Sequence, residues 1–444
     1  MAKPNARSVA LSVLETVERK HLLATAVLRQ EKSARDLDPR VMAAATDLVL
    51  GTLRQRGFID HHLRARTPKG LPEHDHRLIC LLRLAAYELM FVERTPDYAG
   101  VSSYVEIAKR THGQRVAGFV NAVLRGISAV DRKALALGRG ALPPAAHFSF
   151  PDWAVEEARA AFGPEYSLQL ETLNRPASIA LRTHVGRVSA DALARQLSEL
   201  GLHPQRVTAL PDALVLPPDE PPYESVEFLR GQFWPQDIAS QLVASIASAC
   251  GASMLLDACA GSGTKSLCLA GSVPSVQIVA SDLSASKIAA MRRRLRSLQV
   301  PGVETVIADL TSPPFAAAAF DLVLLDAPCS GLGTVRRHPE LKWRRGAGDL
   351  QANAARQTEL LHHAARLVRP GGALVYAVCS FARTEGAAVV DDFLARHPWY
   401  RRGAIPLPGS LPAASVLTAA GDLLLPPSLL DSDCHFVALL RRAG

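Results

Sequence analysis

No stretch of this 444-residue sequence is apolar for long enough to cross a bilayer. The opening MAKPNARSVALSVLETVERK carries basic residues without the apolar core of a secretory signal. A soluble, cytoplasmic protein with no membrane attachment is therefore expected. Cysteine is sparse and unpatterned: Cys80, Cys250, Cys259, Cys268, Cys329, Cys379 and Cys434 are odd in number and include no CxxC pair. That excludes a disulfide framework and a zinc site as natural readings, and no metal is expected. No GxxxxGK[ST] and no complete GxGxxG occurs, which argues against a triphosphate or dinucleotide ligand. No repeat of solenoid period is evident.

What is present is a chain of globular composition, 48% apolar, and too long for one ordinary core. Its charge is uneven. Residues 1–130 hold 20 Lys and Arg against 13 Asp and Glu, a balance of +7; the remainder holds 30 against 29, or +1. A basic module in front of a near-neutral body is a plausible nucleic-acid footprint. That module reads as helical: RSVALSVLETVERK, PRVMAAATDLVLGTLRQRGFIDHHL and DHRLICLLRLAAYELMFV repeat apolar residues at helical spacing, with breaks at Asp38-Pro39 and Thr95-Pro96. The expected organisation is a helical bundle over 1–132 and a linker over 133–145. A small α/β connector follows over 146–232, then an α/β domain with a parallel sheet over 233–444.

In that last domain LLDACAGSGTKSLCLA reads as strand, glycine-bearing turn and helix. The turn alone is a weak signal. The next strand ends in Asp282, 25 residues after Asp257, where doubly wound folds place an acid on ribose hydroxyls. A third strand, VETVIADL, ends in Asp309, suited to an adenine amino group. The expected ligand is a mononucleoside such as S-adenosylmethionine.

Two further apolar runs, FDLVLLDAPCSGLGTVRRHPELKW and GGALVYAVCSF, end in thiols. As neighbouring strands of one sheet they would bring Asp326, Cys329 and Cys379 to one edge. Either cysteine alone is better read as a buried small hydrophobe; together, one of them after Asp-Ala-Pro, they point to nucleophilic chemistry.

With DACAGSGTKS, LLDAPCSGLGTVRRHPELKW and RPGGALVYAVCS, the sequence resembles the RNA cytosine-5 methyltransferases, and as a whole the RsmB (Sun/Fmu) type that acts on 16S ribosomal RNA. AVLRQ, LVLGTLR and FVNAVLRGI resemble the NusB-like RNA-binding domain such enzymes carry. The resemblance implies a multidomain chain: an all-α NusB-like bundle, the connector, and a Rossmann-like class I methyltransferase domain. It makes Cys379 the nucleophile that adds to carbon 6 of cytosine, because carbon 5 is too poor a nucleophile to take a methyl group unaided. Cys329 would assist elimination or release, Asp326 would hold the base, and Lys265 would position it or lower a thiol pKa.

The cofactor set is Asp257, Cys259, Ala260, Gly261, Ser262, Gly263, Thr264, Lys265, Asp282, Lys287, Asp309 and Asp326, with the Cys259 thiol itself a packing group. Ser262 and Thr264 replace the usual proline and second glycine of the turn. A β-branched Thr264 would resist a positive φ, so the loop is expected to differ locally. Arg336, Arg337, His338, Lys342 and Trp343 suit an RNA-holding pocket entrance, cations for phosphate and an indole for stacking; for Trp343 burial in the core is an equal alternative. The expected partner is 16S ribosomal RNA, naked or in an early assembly intermediate, met by a monomer. Transfer RNA as substrate, and a non-catalytic antitermination adaptor, are the rival readings.

Overall fold

The computed structural model describes residues 5–35, 37–92, 97–273 and 275–444; the Thr95-Pro96 break lies outside them. The chain divides into two compact units. One holds the residues up to 156 together with Val335–Arg344; the other holds 157–334 and 345–444.

The first unit is helical, with helices Ala6–Lys20, Ala24–Arg35, Pro39–Arg54, Arg56–Arg64 and His76–Phe91, and the stretch Asp97–Ser128, which is two helices meeting at Gly113 with φ 82°. Local chemistry sets the starts. The Asn5 side chain accepts from Ser8 N–H at 2.9 Å and Asp75 from Leu78 N–H at 3.0 Å, and Pro39 opens a helix behind Asp38. Burial then holds the helices: Val9, Ala10, Val13, Leu14 and Val17 recur on one face and are all buried. The charges inside are paired, Arg83 donating twice to Asp60 at 2.8 and 2.9 Å. The segment read as a linker, 133–145, is partly helical, over Arg132–Gly138 and from Pro144, and belongs to this unit. Its Gly, Pro and Ala content mimics a linker, yet Pro144 starts a turn of helix that buries Ala146 and Phe148.

The second unit contains two sheets. The smaller has β1 (Ile179–Thr183), β2 (Gln205–Arg206), β3 (Ala213–Leu216) and β4 (Phe233–Pro235) in the order β2-β3-β1-β4. The larger is built from β5 (Met254–Asp257), β6 (Gln277–Asp282), β7 (Val303–Ile307), β8 (Phe320–Asp326), β9 (Val368–Val378), β10 (Tyr400–Arg402), β11 (Leu423–Leu425) and β12 (His435–Arg442). Its path is β10-β12-β9-β8-β5-β6-β7, with β11 paired to β12. β5 to β9 run parallel and β12 antiparallel to β9.

Alternation explains why the strands read as continuous apolar runs. On β8 and β9, Leu322, Leu324, Val375 and Ala377 enter one core, while Val323, Leu325, Leu374, Tyr376 and Val378 enter the other. The chain reverses direction across the sheet between β5 and β8, which opens a crevice at their carboxyl ends. Every acid and thiol singled out in the sequence for the cofactor or the reaction lies in or just after a strand's last residues at that edge, or in the turn and helix start that follow. No helix among the described residues is long and apolar enough to cross a membrane.

Candidate active site

β5 ends in Asp257, which is fully buried and accepts from Ser266 Oγ at 2.6 Å; its other oxygen, Oδ1, has no partner among the described residues. Burial pushes its carboxyl up to about 7, against the opposing pull of Ser266. A buried, half-satisfied acid beside an open turn suits a cationic group on a ligand. The turn itself is closed by Gly263 N–H to Ala260 O at 2.9 Å, with positive φ at Gly261 (59°) and Gly263 (79°). At Gly263 a side chain would also collide with Met291. Thr264 is the first residue of helix Thr264–Ser272 and takes no positive φ. The expected strain at Thr264 is therefore absent, because the turn places its left-handed residues on the two glycines.

Asp282 braces this turn, accepting from Gly261 N–H at 2.9 Å and Ser284 N–H at 2.8 Å, with Lys287 at 3.5 Å. Asp309 is exposed and accepts from Thr311 N–H and Oγ1 at 2.9 and 2.8 Å, bonds that hold it below the usual carboxylate range. The Cys259 thiol is pushed up to about 12 by burial and then by Asp257, so it is inert.

At the reacting edge Asp326 on β8 stands opposite Ala377 on β9, so the chain leaves both strands at the same level. Cys329 and Cys379 follow, and their sulfurs lie 3.2 Å apart. The loop after Cys329 is pinned between strands: Gly333 N–H donates to Cys379 O at 2.9 Å, and Cys434 N–H donates to Gly333 O at 3.0 Å. A Cβ at Gly333 would collide with the Cys434 carbonyl, so only glycine fits.

Lys265, buried on the helix after the cofactor turn, donates to Asp326 at 2.6 Å. Burial alone would lower its ammonium, but the Asp326 carboxylate outweighs burial and the net shift is upward. Lys265 is thus a fixed cation, and Cys379 is among the groups that hold its charge. The Cys329 thiol is held well above its ordinary value, first by the hydrogen bond with Cys379 and second by burial. His435, the first residue of β12, is pushed down to about 4 by burial and then by Lys265, and is neutral.

Sequence reasoning misses the residue that ties the two thiol turns together. Glu385, fully buried, accepts from Ser330 N–H at 2.7 Å, Ser330 Oγ at 2.5 Å and Asn353 Nδ2 at 2.9 Å. Ser330 Oγ lies 3.2 Å from Ser380 Oγ. Ser330, which follows Cys329, therefore meets both the Glu385 carboxylate and Ser380, which follows Cys379. The only signal in the sequence is an acid six positions after Cys379, indistinguishable there from a surface charge.

The RNA-entrance reading of 336–343 is corrected. These residues belong to the first unit, and Arg336 is 2% and Lys342 1% exposed. Lys342 Nζ donates to Arg54 O at 2.9 Å and Ser149 O at 2.8 Å and stands 4.3 Å from the Phe150 ring centre. Trp343 Nε1 donates to Leu53 O at 2.8 Å, and Arg54 donates to Arg336 O at 3.2 Å. Leu53 and Arg54 end a helix, whose last carbonyls need donors. Burial, with Arg337 and Arg344 nearby, pushes His338 down to about 4. Arg337 is half-buried in the same segment. Lys342 and Trp343 thus serve helix-end carbonyls inside this unit. Among the described residues no cluster of three or more His, Cys, Asp or Glu could hold a metal ion.

Comparison with known proteins gives matches along the chain. The family described as 16S rRNA methyltransferase RsmB/F matches residues 248–441, the NusB family residues 4–129, and the RsmF/B-like ferredoxin-like domain residues 150–219. Ribosomal RNA small subunit methyltransferase B of Thermus thermophilus is 35% identical over 99% of this chain and 98% of its own length. The protein of that description from Vibrio cholerae is 31% identical, over 89% and 90%. The solved structure of PH0851 superposes with a TM-score of 0.81 at 21% identity, covering 100% of both chains. That of NSun6 from Pyrococcus horikoshii with SFG gives 0.57 at 19%, covering 66% of this chain and 99% of its own. These two show the fold.

Proposed function

The chain belongs to the RsmB/F family of S-adenosylmethionine-dependent 16S rRNA methyltransferases, and from that premise we propose that it methylates carbon 5 of a cytidine in 16S rRNA through a covalent bond from Cys379. The observation that carries this is the pair of sulfurs 3.2 Å apart at the edge where Lys265 meets Asp326. A reaction needing one nucleophile and one proton handler uses two thiols; a plain amine or hydroxyl methylation needs neither.

Cofactor binding falls to the turn at 257–265, with Asp282 and Asp309 at the next two strand ends. The unpartnered oxygen of Asp257 fits the ammonium of S-adenosylmethionine, and the two glycines leave the backbone accessible. When bound, that cofactor supplies a methyl group on a sulfonium. The protein's residues do the rest. Lys265 stabilises the Cys379 thiolate and orients Asp326, whose carboxylate accepts from the cytosine edge. The thiolate adds to carbon 6, which makes carbon 5 nucleophilic enough to accept the methyl. Cys329 holds its proton chiefly because of Cys379. Once the Cys379 sulfur is bonded to carbon 6 the hydrogen bond between the two sulfurs is lost; Cys329 passes its proton to solvent water, and the resulting thiolate takes the proton from carbon 5. The Cys379–carbon 6 bond breaks as that proton leaves, and the thiolate is regenerated.

Methylation of purified 16S and transfer RNA with labelled cofactor, followed by bisulfite mapping, tests the substrate. A single protected 16S cytidine is expected; label confined to transfer RNA would overturn the substrate, and no label in either would overturn the reaction.

Cofactor affinity should also depend on pH through Asp257. Its carboxyl, raised from 3.8 to about 7, is neutral in the free protein below that pH and must ionise to meet a cation. Without cofactor this group's contribution to stability is full below its ordinary value and is lost as pH rises through about 7. Binding reverses the preference. Affinity should fall by up to about tenfold per unit as pH drops below 7, with proton release on binding, and level off above it. Calorimetric titration in buffers of different ionisation enthalpy measures this. Asp257→Asn should bind weakly at every pH with no proton release; an unchanged pH profile in that variant would remove Asp257 from the account.

A further inference from the structure

We infer that the methyltransferase unit carries a second RNA-binding track, remote from the reacting thiols, on the flank of the sheet formed by helix Ala347–Leu367 and the segment after helix Ala387–Arg396. This rests on RNA being the substrate. Two cavities adjoin there, of about 600 and 280 Å³, and share Ala317 and Arg366 in their walls. The larger is lined by Arg366, Arg396, Arg442, His362, His397 and Trp399, and neither wall contains an Asp or Glu. Residues 131–444 are balanced almost evenly in charge, 30 cations against 29 acids. A wall with three arginines and no acid is therefore a local arrangement.

Two of those cations have partners that leave donors over. Arg396 pairs with the partly exposed Asp392 at 2.8 Å, and Arg442 donates to the Val368 carbonyl. Trp399 is half exposed, and its ring is backed edge-on by His397 at 5.3 Å. His397 is itself buried, with Nδ1 unpartnered. Guanidinium groups for phosphates beside a rigidly backed, exposed indole for a base is the chemistry that binds single-stranded nucleic acid.

Position decides which part of the RNA this is. Arg442 ends β12, whose first residue His435 stands at the reacting edge, so the two lie seven strand steps, roughly 23 Å, apart. The target base cannot occupy both. The smaller cavity reaches Thr311, two residues beyond Asp309 at the cofactor edge, so the track runs from the far edge toward the site. It takes the single-stranded flank of the target nucleotide.

The test compares full-length wild type with Trp399→Ala, Trp399→Phe and Arg366→Ala/Arg396→Ala. The probes are a short RNA loop holding the target cytidine and the same loop with a single-stranded extension. For the extended RNA, Trp399→Ala should raise Kd and KM by roughly tenfold, and Trp399→Phe should restore most of the loss. The double arginine variant should flatten the salt dependence by about 1.4 in log–log slope, about 0.7 for each phosphate contact. Turnover at saturation, cofactor binding and the short loop's KM should not change. Equal Kd and salt slope in all variants, or losses identical for short and extended RNA, would overturn the track. If wild type methylates RNA and only the variants fail to differ, the track alone is wrong; if wild type neither binds nor methylates RNA, the functional reading is wrong with it.

Discussion

Replacing Cys379 with alanine is expected to leave cofactor binding intact and to reduce methyl transfer by roughly four orders of magnitude or more, because the neighbouring thiol, Cys329, is buried and serves as the proton handler rather than the nucleophile. Cys434 is also nearby, but its thiol is fully buried and held well above the ordinary range by burial and then by Asp433, so it cannot substitute. Cys329→Ala should behave oppositely. With the nucleophile present and the proton acceptor gone, addition and methyl transfer proceed but elimination stalls. A protein–RNA adduct should then accumulate and run as a shifted band on a denaturing gel. The double variant Cys329→Ala/Cys379→Ala should show no band. An adduct that persists without Cys379, or full turnover without it, sinks the covalent route; an adduct formed by wild type but not by Cys329→Ala would exchange the roles of the two sulfurs.

Much of this site is legible in the amino-acid sequence, for identifiable reasons. β8 and β9 are buried on both faces, so their sequences, FDLVLLD and ALVYAV, announce strands without needing alternation. Parallel neighbours carry their carboxyl ends to one edge, so Asp326, Cys329 and Cys379 follow from strand pairing alone. The residues that mislead are those whose burial depends on distant partners. Lys342 is a lysine with its Nζ on carbonyls from residues 54 and 149, and burial lowers its pKa; nothing near it in sequence marks it as interior. At Thr264 the residue's own propensity is a poor guide, because what matters is which residue of the turn takes the left-handed conformation. Gly261 and Gly263 take it, and Thr264 starts the helix.

Glu385 is the clearest case of a residue visible only in three dimensions, and its removal should be costly in two distinct ways. In Glu385→Ala the amide and hydroxyl of Ser330 and the amide of Asn353 lose a common charged acceptor inside the protein. Hydrogen bonds to a charged group contribute about 1.5–3 kcal/mol each, and breaking a buried cluster of them costs about 3–5 kcal/mol in total. The thermal midpoint should fall accordingly. The second effect is on the chemistry. Ser330 and Ser380 each follow a reacting cysteine directly, so loosening their link lets the two sulfurs drift from 3.2 Å. A displacement of about 1 Å at a reacting group is enough for a loss near a hundredfold in rate. Glu385 touches neither substrate nor cofactor, so its effect should fall on kcat with KM for RNA and cofactor preserved. The pH profile should also change, because Cys329 holds its proton mainly through Cys379. Glu385→Gln keeps the shape and one acceptor oxygen and should recover part of both losses. A Glu385→Ala protein that melts lower yet keeps wild-type kcat and pH profile would make the carboxylate a strut for the fold alone, with the spacing of the sulfurs set by the strands.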